Sequence, residues 1–224
     1  MEHVEVARSE SERGEIVLCE RIDPEDQHGL RVLELRVNGV FVMDTLDTAT
    51  ERQLAAAALA AVDEPRAVVV GGLGLGFTLR EVLADHRVEQ VKVVEIEDVL
   101  VQWMRDGTVP HGPGLLADER LTVITADIRM AMAEATPSAY DLVLLDVDNG
   151  PGYLVYDDNA AVYQETFLAQ VAQALRPGGA VVVWSAADAP ELADALQTVF
   201  GNVAPVPHGA PARNDQYWTY LSRR

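Results

Sequence analysis

From Arg66 onward, short apolar runs alternate with segments of helical pattern, and this alternation constrains the fold more than any other feature of the chain. It is typical of βαβ units, in which each helix returns the chain to the same end of a sheet so that successive strands run parallel. The predicted strands are 67–70, 91–94, 121–125, 142–145 and 180–184, and the predicted helices between them are 78–85, 98–105, 128–135 and 160–175.

The C-terminal part of the chain changes this pattern. A further helix is predicted over 190–200, and two strand-like segments, 202–206 and 216–221, follow it. The loop between these segments is rich in Pro, Gly and Asn, which suits a long hairpin. We therefore predict an α/β fold with a Rossmann-like seven-stranded sheet, mostly parallel and ending in an antiparallel pair.

The N-terminal residues carry strand signals of their own, over 14–20, 30–37 and 40–44. Asn38 and Gly39 separate the last two segments, and this pair is a strong hairpin signal because both turn residues adopt positive φ. Thr48 and Glu51 have the spacing of a capping box for a helix over 52–62. These features predict a small β unit over 1–47, attached to a Rossmann-like domain over 48–224.

The chain is strongly acidic, with a formal net charge of -19 and a single lysine, Lys92. Such a surface repels a phosphate backbone, so we expect no nucleic-acid partner. The same field would attract a cationic small molecule, although net charge also serves solubility alone. Both interpretations of the charge stay open at this point.

Other classes of site find little support in the sequence. Cys19 is the only cysteine, which excludes a disulfide framework and a cysteine-rich zinc site. We expect no metal, although Asp146 and Asp148 could instead bind a hard cation. The histidines lack the spacing of metal ligands; they are His3, His28, His86, His111 and His208.

No apolar run approaches the length of a membrane span, and the first residues are acidic where a signal peptide would be basic. We therefore expect a cytoplasmic protein with no membrane partner.

A glycine-rich turn follows the first predicted strand, where Gly71 to Gly76 read GGLGLG just before a helix. Ligands of open parallel sheets bind outside the carboxyl ends of the strands, and glycines let the backbone turn tightly beside them. The dinucleotide pattern requires glycine at the position of Phe77. The spacing of Gly72, Gly74 and Gly76 is instead that of S-adenosylmethionine folds, so we predict that these three glycines bind such a cofactor.

Acidic residues follow the next three predicted strands. Glu95 stands where an acid reaches ribose hydroxyls in nucleotide-binding folds, with an exposed surface glutamate as the alternative. Asp127 is placed to accept a hydrogen bond from an adenine amino group. Asp146, Asp148 and Asn149 are the candidate catalytic residues, and Asp146 would orient or deprotonate an amine or hydroxyl acceptor. A structural carboxylate that caps loop amides is the alternative for Asp146.

These motifs resemble the spermidine synthase-like family along most of the chain. The resemblance implies a Rossmann fold that binds S-adenosylmethionine or its decarboxylated form as co-substrate. It also implies a nucleoside pocket formed by the loop glycines, Glu95 and Asp127, with Asp146 beside the transferable group. The segments that carry the resemblance are 33–44, 71–82, 93–97, 140–146, 175–183 and 216–220.

The chain departs from that family at three places. Gly74 stands where aminopropyltransferases carry an aspartate, and Asn149 replaces the second aspartate of the motif that begins at Asp146. The segment 51–54 replaces a tyrosine-histidine-glutamate sequence on the first helix. Because these positions are associated with polyamine binding, methyl transfer to a small amine or hydroxyl acceptor is our default expectation.

Two alternatives to methyl transfer stay open. One is an aminopropyltransferase that binds its amine differently, and the other is a nucleoside-binding module without catalysis. We expect a small-molecule acceptor, with a cationic one favoured by the acidic charge. In the resembling family, contacts of the N-terminal hairpin support dimers, so a homodimer is also expected.

The segment 149–159 contains Gly150, Gly152, Tyr153 and Tyr156, and it follows the strand that ends beside Asp146. Its length and its glycines suit a lid that closes over the pocket when a ligand binds. An ordered connection that packs on the domain surface is the alternative.

Overall fold

The first four strands form an antiparallel sheet in the order β1-β2-β3-β4. The computed structural model describes residues 3–23, 29–210 and 215–224; His28 and residues 211–214 of the expected C-terminal loop lie outside these ranges. The predicted hairpin is confirmed, because Asn38 and Gly39 have φ values of 52° and 76°. The strands are β1 (Val4–Ser11), β2 (Gly14–Ile22), β3 (Arg31–Val37) and β4 (Val40–Asp44).

Strand β1 was not predicted from the sequence. Its residues are largely exposed, so the alternation of apolar and polar side chains that marks a half-buried strand is weak there. It pairs with β2 and leaves its other edge unpaired among the described strands.

Helix α1 (Ala49–Ala61) connects the two sheets, and its predicted capping box is wrong. The side chain of Thr48, at the N-cap position, makes no capping hydrogen bond. The carboxylate of Glu51 instead accepts a hydrogen bond of 2.7 Å from the hydroxyl of Thr50. The alanine-rich face of the helix is buried, which fixes its rotation about its own axis.

The second sheet has seven strands, as predicted, in the order β10-β11-β9-β8-β5-β6-β7. Strands β5 to β9 are parallel, and β11 runs antiparallel to both β9 and β10. The central strands β5 and β8 are fully buried, which is typical of a parallel sheet covered on both faces. The strands are β5 (Ala67–Gly71), β6 (Gln90–Glu95), β7 (Leu121–Thr125), β8 (Tyr140–Leu145), β9 (Leu175–Ser185), β10 (Ala204–Ala210) and β11 (Asp215–Arg223).

Two helical predictions needed correction. The predicted helix 160–175 is in fact a 3-10 helix, Asp157–Tyr163, followed by α6, because Gln164 between them has an extended backbone. The short helix α4 was missed because Gly112, Pro113 and Gly114 are poor helix formers. The helices of this part are α2 (Phe77–Ala84), α3 (Asp98–Asp106), α4 (Gly112–Leu116), α5 (Ile128–Ala133), α6 (Glu165–Ala174) and α7 (Pro190–Phe200).

One continuous cluster of buried apolar residues joins the two sheets. It contains Leu18 and Leu35 from the N-terminal sheet together with Val70 and Leu144 from the central sheet. The N-terminal sheet is therefore held against the central sheet by burial of apolar surface. Among the described residues, no helix is long and apolar enough to span a membrane.

Candidate active site

A cavity of about 620 Å³ opens where the strand order reverses, between β5 and β8. This switch point is where ligands of open parallel sheets bind, because the connections leave the two strands in opposite directions. The carboxyl ends of β5, β6 and β8 contribute to its wall, as do residues of β3, β4, α1 and β11. Its volume suits a ligand of nucleoside size.

Gly72 and Gly74 line the cavity, as the sequence predicts for a glycine-rich turn. Gly72 has φ of +91°, and a Cβ added there would lie 2.0 Å from the carbonyl oxygen of Asp146. Gly74 has φ of +50°, and its added Cβ would lie 2.6 Å from Sδ of Met43. The turn therefore lies against β8 on one side and against β4 of the N-terminal sheet on the other.

Gly76 has a different environment from the other two glycines. It is not among the cavity-lining residues, and an added Cβ would lie 2.6 Å from the side chain of Leu115 and 2.9 Å from that of Met104. With φ of +85° it is the N-cap of α2. In this structure the glycine permits close packing of α2, and contact with a cofactor stays a prediction.

Glu95, at the end of β6, lines the cavity and is only 7% exposed, which excludes the alternative of a surface glutamate. Its Oε2 accepts a hydrogen bond of 2.8 Å from the backbone N–H of Leu73, and its Oε1 accepts one of 2.9 Å from that of Glu97. Burial raises its pKa, although these amides favour the ionised form. Glu95 thus fixes the glycine-rich turn at the place where a ribose is expected.

Glu97 was not recognised from the sequence as a site residue, yet it is buried and lines the cavity. Its Oε1 lies 2.5 Å from Nε of Arg13, in the turn between β1 and β2. The hydroxyl of Tyr156 donates a hydrogen bond of 3.1 Å to the same oxygen. Arg13 is distant in sequence, so no local pattern could have indicated this ion pair.

Asp127 does not line the cavity in this structure. It caps α5 by accepting a hydrogen bond from the backbone N–H of Arg129, and its carboxylate also forms an ion pair of 2.5 Å with the Arg129 guanidinium. Partial burial would raise the pKa of Asp127, but the bonds from Arg129 outweigh it and the pKa is lowered. An adenine contact from Asp127 would have to compete with Arg129, and it stays a prediction.

Asp146 follows β8 and lines the cavity. Its backbone N–H donates to the carbonyl of Gly71, and its Oδ2 accepts a hydrogen bond of 2.7 Å from the hydroxyl of Thr78. Burial raises its pKa, and the bond from Thr78 offsets this only in part. A carboxylate with raised proton affinity that faces a cavity can hold a cation or accept a proton.

Asp148 also lines the cavity, but its carboxylate is occupied by the segment 149–159. Its Oδ1 accepts from the backbone N–H groups of Asn149 (2.7 Å) and Val155 (2.8 Å), and its Oδ2 accepts from the side-chain amide of Asn159 (2.7 Å). In this structure the segment is anchored by these bonds and contributes Leu154, Val155 and Tyr156 to the cavity wall, and its closure as a lid stays a prediction. Asn149 lines the cavity, and catalytic roles for Asn149 and Asp148 stay predictions.

The cavity wall has an excess of negative charge. None of the described residues that line it is Lys, Arg or His. Arg13 pairs with Glu97 from outside the lining and offsets the charge of that carboxylate. A ligand that places positive charge inside would be favoured. The lining carboxylates are Asp47, Glu51, Glu95, Glu97, Asp146 and Asp148.

Two aromatic side chains line the cavity, and sequence reasoning assigned neither of them to a site. The rings of Trp184 and Tyr217 have centroids 6.4 Å apart, and both residues line the cavity. The hydroxyl of Tyr217 donates to the amide oxygen of Gln53 on α1. The indole Nε1 of Trp184 is buried without a hydrogen-bond partner among the described residues.

Known proteins share sequence and fold with this chain. Residues 47–204 match the model of the spermine/spermidine synthase domain. The polyamine aminopropyltransferase 2 of Pseudomonas aeruginosa is 32% identical over an aligned region that covers 85% of this chain and 62% of that protein. Putrescine N-methyltransferase 3 of Nicotiana tabacum is 32% identical over 125 residues, or 55% of this chain and 31% of that protein. The chain spans less than two thirds of the length of either relative.

Among solved structures, a spermidine synthase from Thermotoga maritima superposes with a TM-score of 0.80. The match covers 98% of this chain and 72% of that structure at 16% sequence identity. At this identity the match shows the fold, and it includes the N-terminal sheet as well as the central one.

Proposed function

Since the chain belongs to the spermine/spermidine synthase family, we propose that it transfers an aminopropyl group from decarboxylated S-adenosylmethionine to a small cationic amine. The proposal divides the cavity into two sides. The nucleoside side is formed by Gly72, Gly74, Glu95 and Glu97, and the acceptor side is formed by Glu51, Asp146, Trp184 and Tyr217.

The absence of basic side chains among the described cavity-lining residues is the observation that carries this proposal. S-adenosylmethionine has an α-carboxylate, which would enter a cavity whose described lining contains six carboxylates and no basic side chain. The decarboxylated form has no such group and carries two positive charges, on sulfur and on nitrogen. Coulomb interactions in a partly buried cavity therefore favour the decarboxylated form.

The residues of the site suit a displacement reaction. The acceptor nitrogen attacks the methylene carbon beside the sulfonium, a C–N bond forms, and the C–S bond breaks with its electron pair moving to sulfur, which becomes a neutral thioether. The nitrogen loses one proton, and in this proposal the buried carboxylate of Asp146 receives it. Fixing the two reactants in one cavity provides much of the acceleration in such a reaction.

Methyl transfer, the default expectation from the sequence, is the second candidate. Gly74 and Asn149 favour it, because they replace the acidic residues that the resemblance associates with aminopropyl transfer. The similarity to a putrescine N-methyltransferase also supports it. Methyl transfer is the second candidate because S-adenosylmethionine would bring its α-carboxylate into an acidic cavity.

Product analysis separates these candidates. The protein is incubated with 1,4-diaminobutane and either S-adenosylmethionine or its decarboxylated form, and the nucleoside product is identified by mass spectrometry. We expect 5′-methylthioadenosine from the decarboxylated form, and we expect Asp146→Asn to slow its formation by about 100-fold or more. S-adenosylhomocysteine as the only product would establish methyl transfer instead, and no product from either donor would favour a binding module.

A further inference from the structure

The two carboxylate oxygens of Glu97 have different surroundings. Oε1 accepts hydrogen bonds from Nε of Arg13 (2.5 Å) and from the hydroxyl of Tyr156 (3.1 Å), whereas no described residue donates a hydrogen bond to Oε2. Glu97 is the N-cap residue of α3, but its side chain does not cap the helix. Oε2 reaches open space, because Nε1 of Trp184 is the only enclosed side-chain polar atom without a partner among the described residues. Oε2 is therefore available to a donor on a ligand in the cavity that Glu97 lines.

Glu95, two residues earlier, does not offer such an oxygen. Its Oε2 accepts a hydrogen bond of 2.8 Å from the backbone N–H of Leu73, and its Oε1 accepts one of 2.9 Å from that of Glu97. Hydrogen bonds to a charged acceptor are about twice as strong as neutral ones, and an acceptor that is already bonded gains less from a further donor. Of the two acids at the end of β6, Glu97 is thus the better acceptor for a ligand hydroxyl.

Arg13 approaches Glu97 from outside the main cavity. It lies in the turn between β1 and β2, and its Nη2 also donates a hydrogen bond of 3.0 Å to the carbonyl of Ile96. Glu97 lines a second, smaller cavity of about 330 Å³ as well, and Arg13 belongs to the lining of that cavity only. The guanidinium therefore holds Oε1 without occupying the space in which a nucleoside would lie.

We propose that Arg13 is a positioning residue of the nucleoside site, which together with Tyr156 holds Oε1 of Glu97 so that Oε2 accepts a hydrogen bond from a ribose hydroxyl. The inference rests on the proposed function and deepens it, since it makes the N-terminal sheet part of the nucleoside site. A glutamate side chain that is already held in place loses little conformational freedom when the ligand binds. Arg13 thus acts on nucleoside affinity through Glu97, without touching the ligand.

Calorimetry with three nucleosides tests the proposal. We titrate 5′-methylthioadenosine and its 2′-deoxy and 3′-deoxy derivatives into the wild type, Glu97→Gln, Arg13→Gln and the variant that carries both changes. Glutamine keeps an oxygen that can accept from Arg13 and Tyr156, but it presents an uncharged NH₂ group in place of Oε2. Arg8→Gln is the matched control for loss of a guanidinium, because Arg8 lies on β1, pairs with Glu5 at 2.7 Å and lines neither cavity.

We expect Glu97→Gln to weaken binding of 5′-methylthioadenosine by about 10-fold or more. One of the two deoxy derivatives lacks the hydroxyl that Glu97 binds, and its affinity should differ between the wild type and Glu97→Gln by no more than about twofold.

Arg13→Gln should weaken binding of 5′-methylthioadenosine by about threefold or more, with little further loss when Glu97→Gln is already present. Arg13→Lys, which keeps a charged donor, should recover part of this affinity. Arg8→Gln should bind all three nucleosides as the wild type does.

An equal loss for all three nucleosides in Glu97→Gln, or no loss for any of them, would overturn the ribose contact. Additive losses in the double variant would overturn the positioning role of Arg13. Neither result bears on the transfer reaction, which product analysis tests separately. A wild type that shows the expected binding pattern but forms no transfer product would overturn the proposed function and leave the ribose contact standing, and one that binds none of the nucleosides would overturn both.

Discussion

On the nucleoside side of the cavity, both carboxylate oxygens of Glu95 accept hydrogen bonds from backbone amides, so this acid is fixed before any ligand binds. On the acceptor side, Glu51 and Asp146 are held by threonine hydroxyls and repel each other. The first arrangement provides shape for binding, because its polar groups are already satisfied. The second provides charge, because a cation is needed to stabilise its ionised form.

Both sides of the cavity keep part of the family pattern and depart from it elsewhere. On the nucleoside side Gly72 and Glu95 follow the pattern and Gly74 departs from it. On the acceptor side Asp146 follows it, whereas Glu51 lies in a segment that departs from it. On the nucleoside side, close backbone packing restricts which residues can occupy the glycine-rich turn. The acceptor side depends on the position of charge, which can be supplied by different residues.

The largest effect should come from Gly72→Ala on the nucleoside side. Its Cβ would lie 2.0 Å from the backbone oxygen of Asp146, so the turn or β8 must move. We expect loss of 5′-methylthioadenosine binding by more than about 100-fold in calorimetry. Gly74→Ala is the comparison, because the added Cβ there meets the flexible side chain of Met43. Equal and small losses in both variants would contradict the restrictive geometry assigned to this side.

Glu95→Ala should lower the free energy of unfolding by about 2 to 4 kcal/mol, because the amides of Leu73 and Glu97 lose their buried acceptor. It should also weaken nucleoside binding. Chemical denaturation monitored by tryptophan fluorescence gives the first quantity. A variant as stable as the wild type would show that water satisfies both amides and that the turn is not fixed by Glu95.

Glu51→Gln should raise the free energy of unfolding, whereas Glu95→Ala should lower it. The increase should appear only above about pH 4.5. Burial and Asp146 raise the pKa of Glu51 from 4.5 to about 7. The folded state therefore binds this proton more tightly than the unfolded state, and the stability from the protonated form is complete below pH 4.5 and is lost as the pH rises through 7.

The glutamine variant avoids that loss, so it should be more stable than the wild type at pH 8 by roughly 1 to 3 kcal/mol. The difference should disappear near pH 4.5. Thermal unfolding of both proteins across this pH range measures it. A constant difference at all pH values would mean that Glu51 does not titrate in this window.

Tyr156→Phe should have the smallest effect, because it removes only the hydrogen bond of 3.1 Å to Glu97. We expect a loss of about 0.5 to 1.5 kcal/mol in the free energy of unfolding.

Hydrogen exchange of residues 149–159 tests the lid hypothesis with the same variant. Slower exchange when nucleoside and amine bind together would support a lid, and equal exchange with and without ligands would favour the ordered connection anchored by Asp148.

The features of the fold that follow local rules could be predicted from the sequence. The central strands β5 and β8 are largely apolar and fully buried, and the turn at Asn38 and Gly39 requires positive φ at both positions. The placement of Gly72, Glu95 and Asp146 beside one cavity followed from the rule that ligands bind at the carboxyl ends of parallel strands.

The long-range contacts of the cavity could not be predicted in the same way, because the packing of distant segments forms them. Tyr217 is brought to Gln53 from the far end of the chain, and Arg13 is brought to Glu97 from the N-terminal sheet. The spacing of Thr48 and Glu51 fits a capping box, so local reasoning assigned Glu51 to the backbone when its carboxylate faces the cavity. Local sequence does not distinguish a Glu51 side chain that caps the helix from one that faces the cavity.

The central claim is that the charge of this cavity selects a co-substrate without a carboxylate. Its most direct test is the ratio of the dissociation constants of S-adenosylmethionine and decarboxylated S-adenosylmethionine, measured by calorimetry on the wild type at low ionic strength. We predict that the decarboxylated form binds at least about 10-fold more tightly and that added salt reduces this ratio. Equal affinity, or tighter binding of S-adenosylmethionine, would contradict the claim.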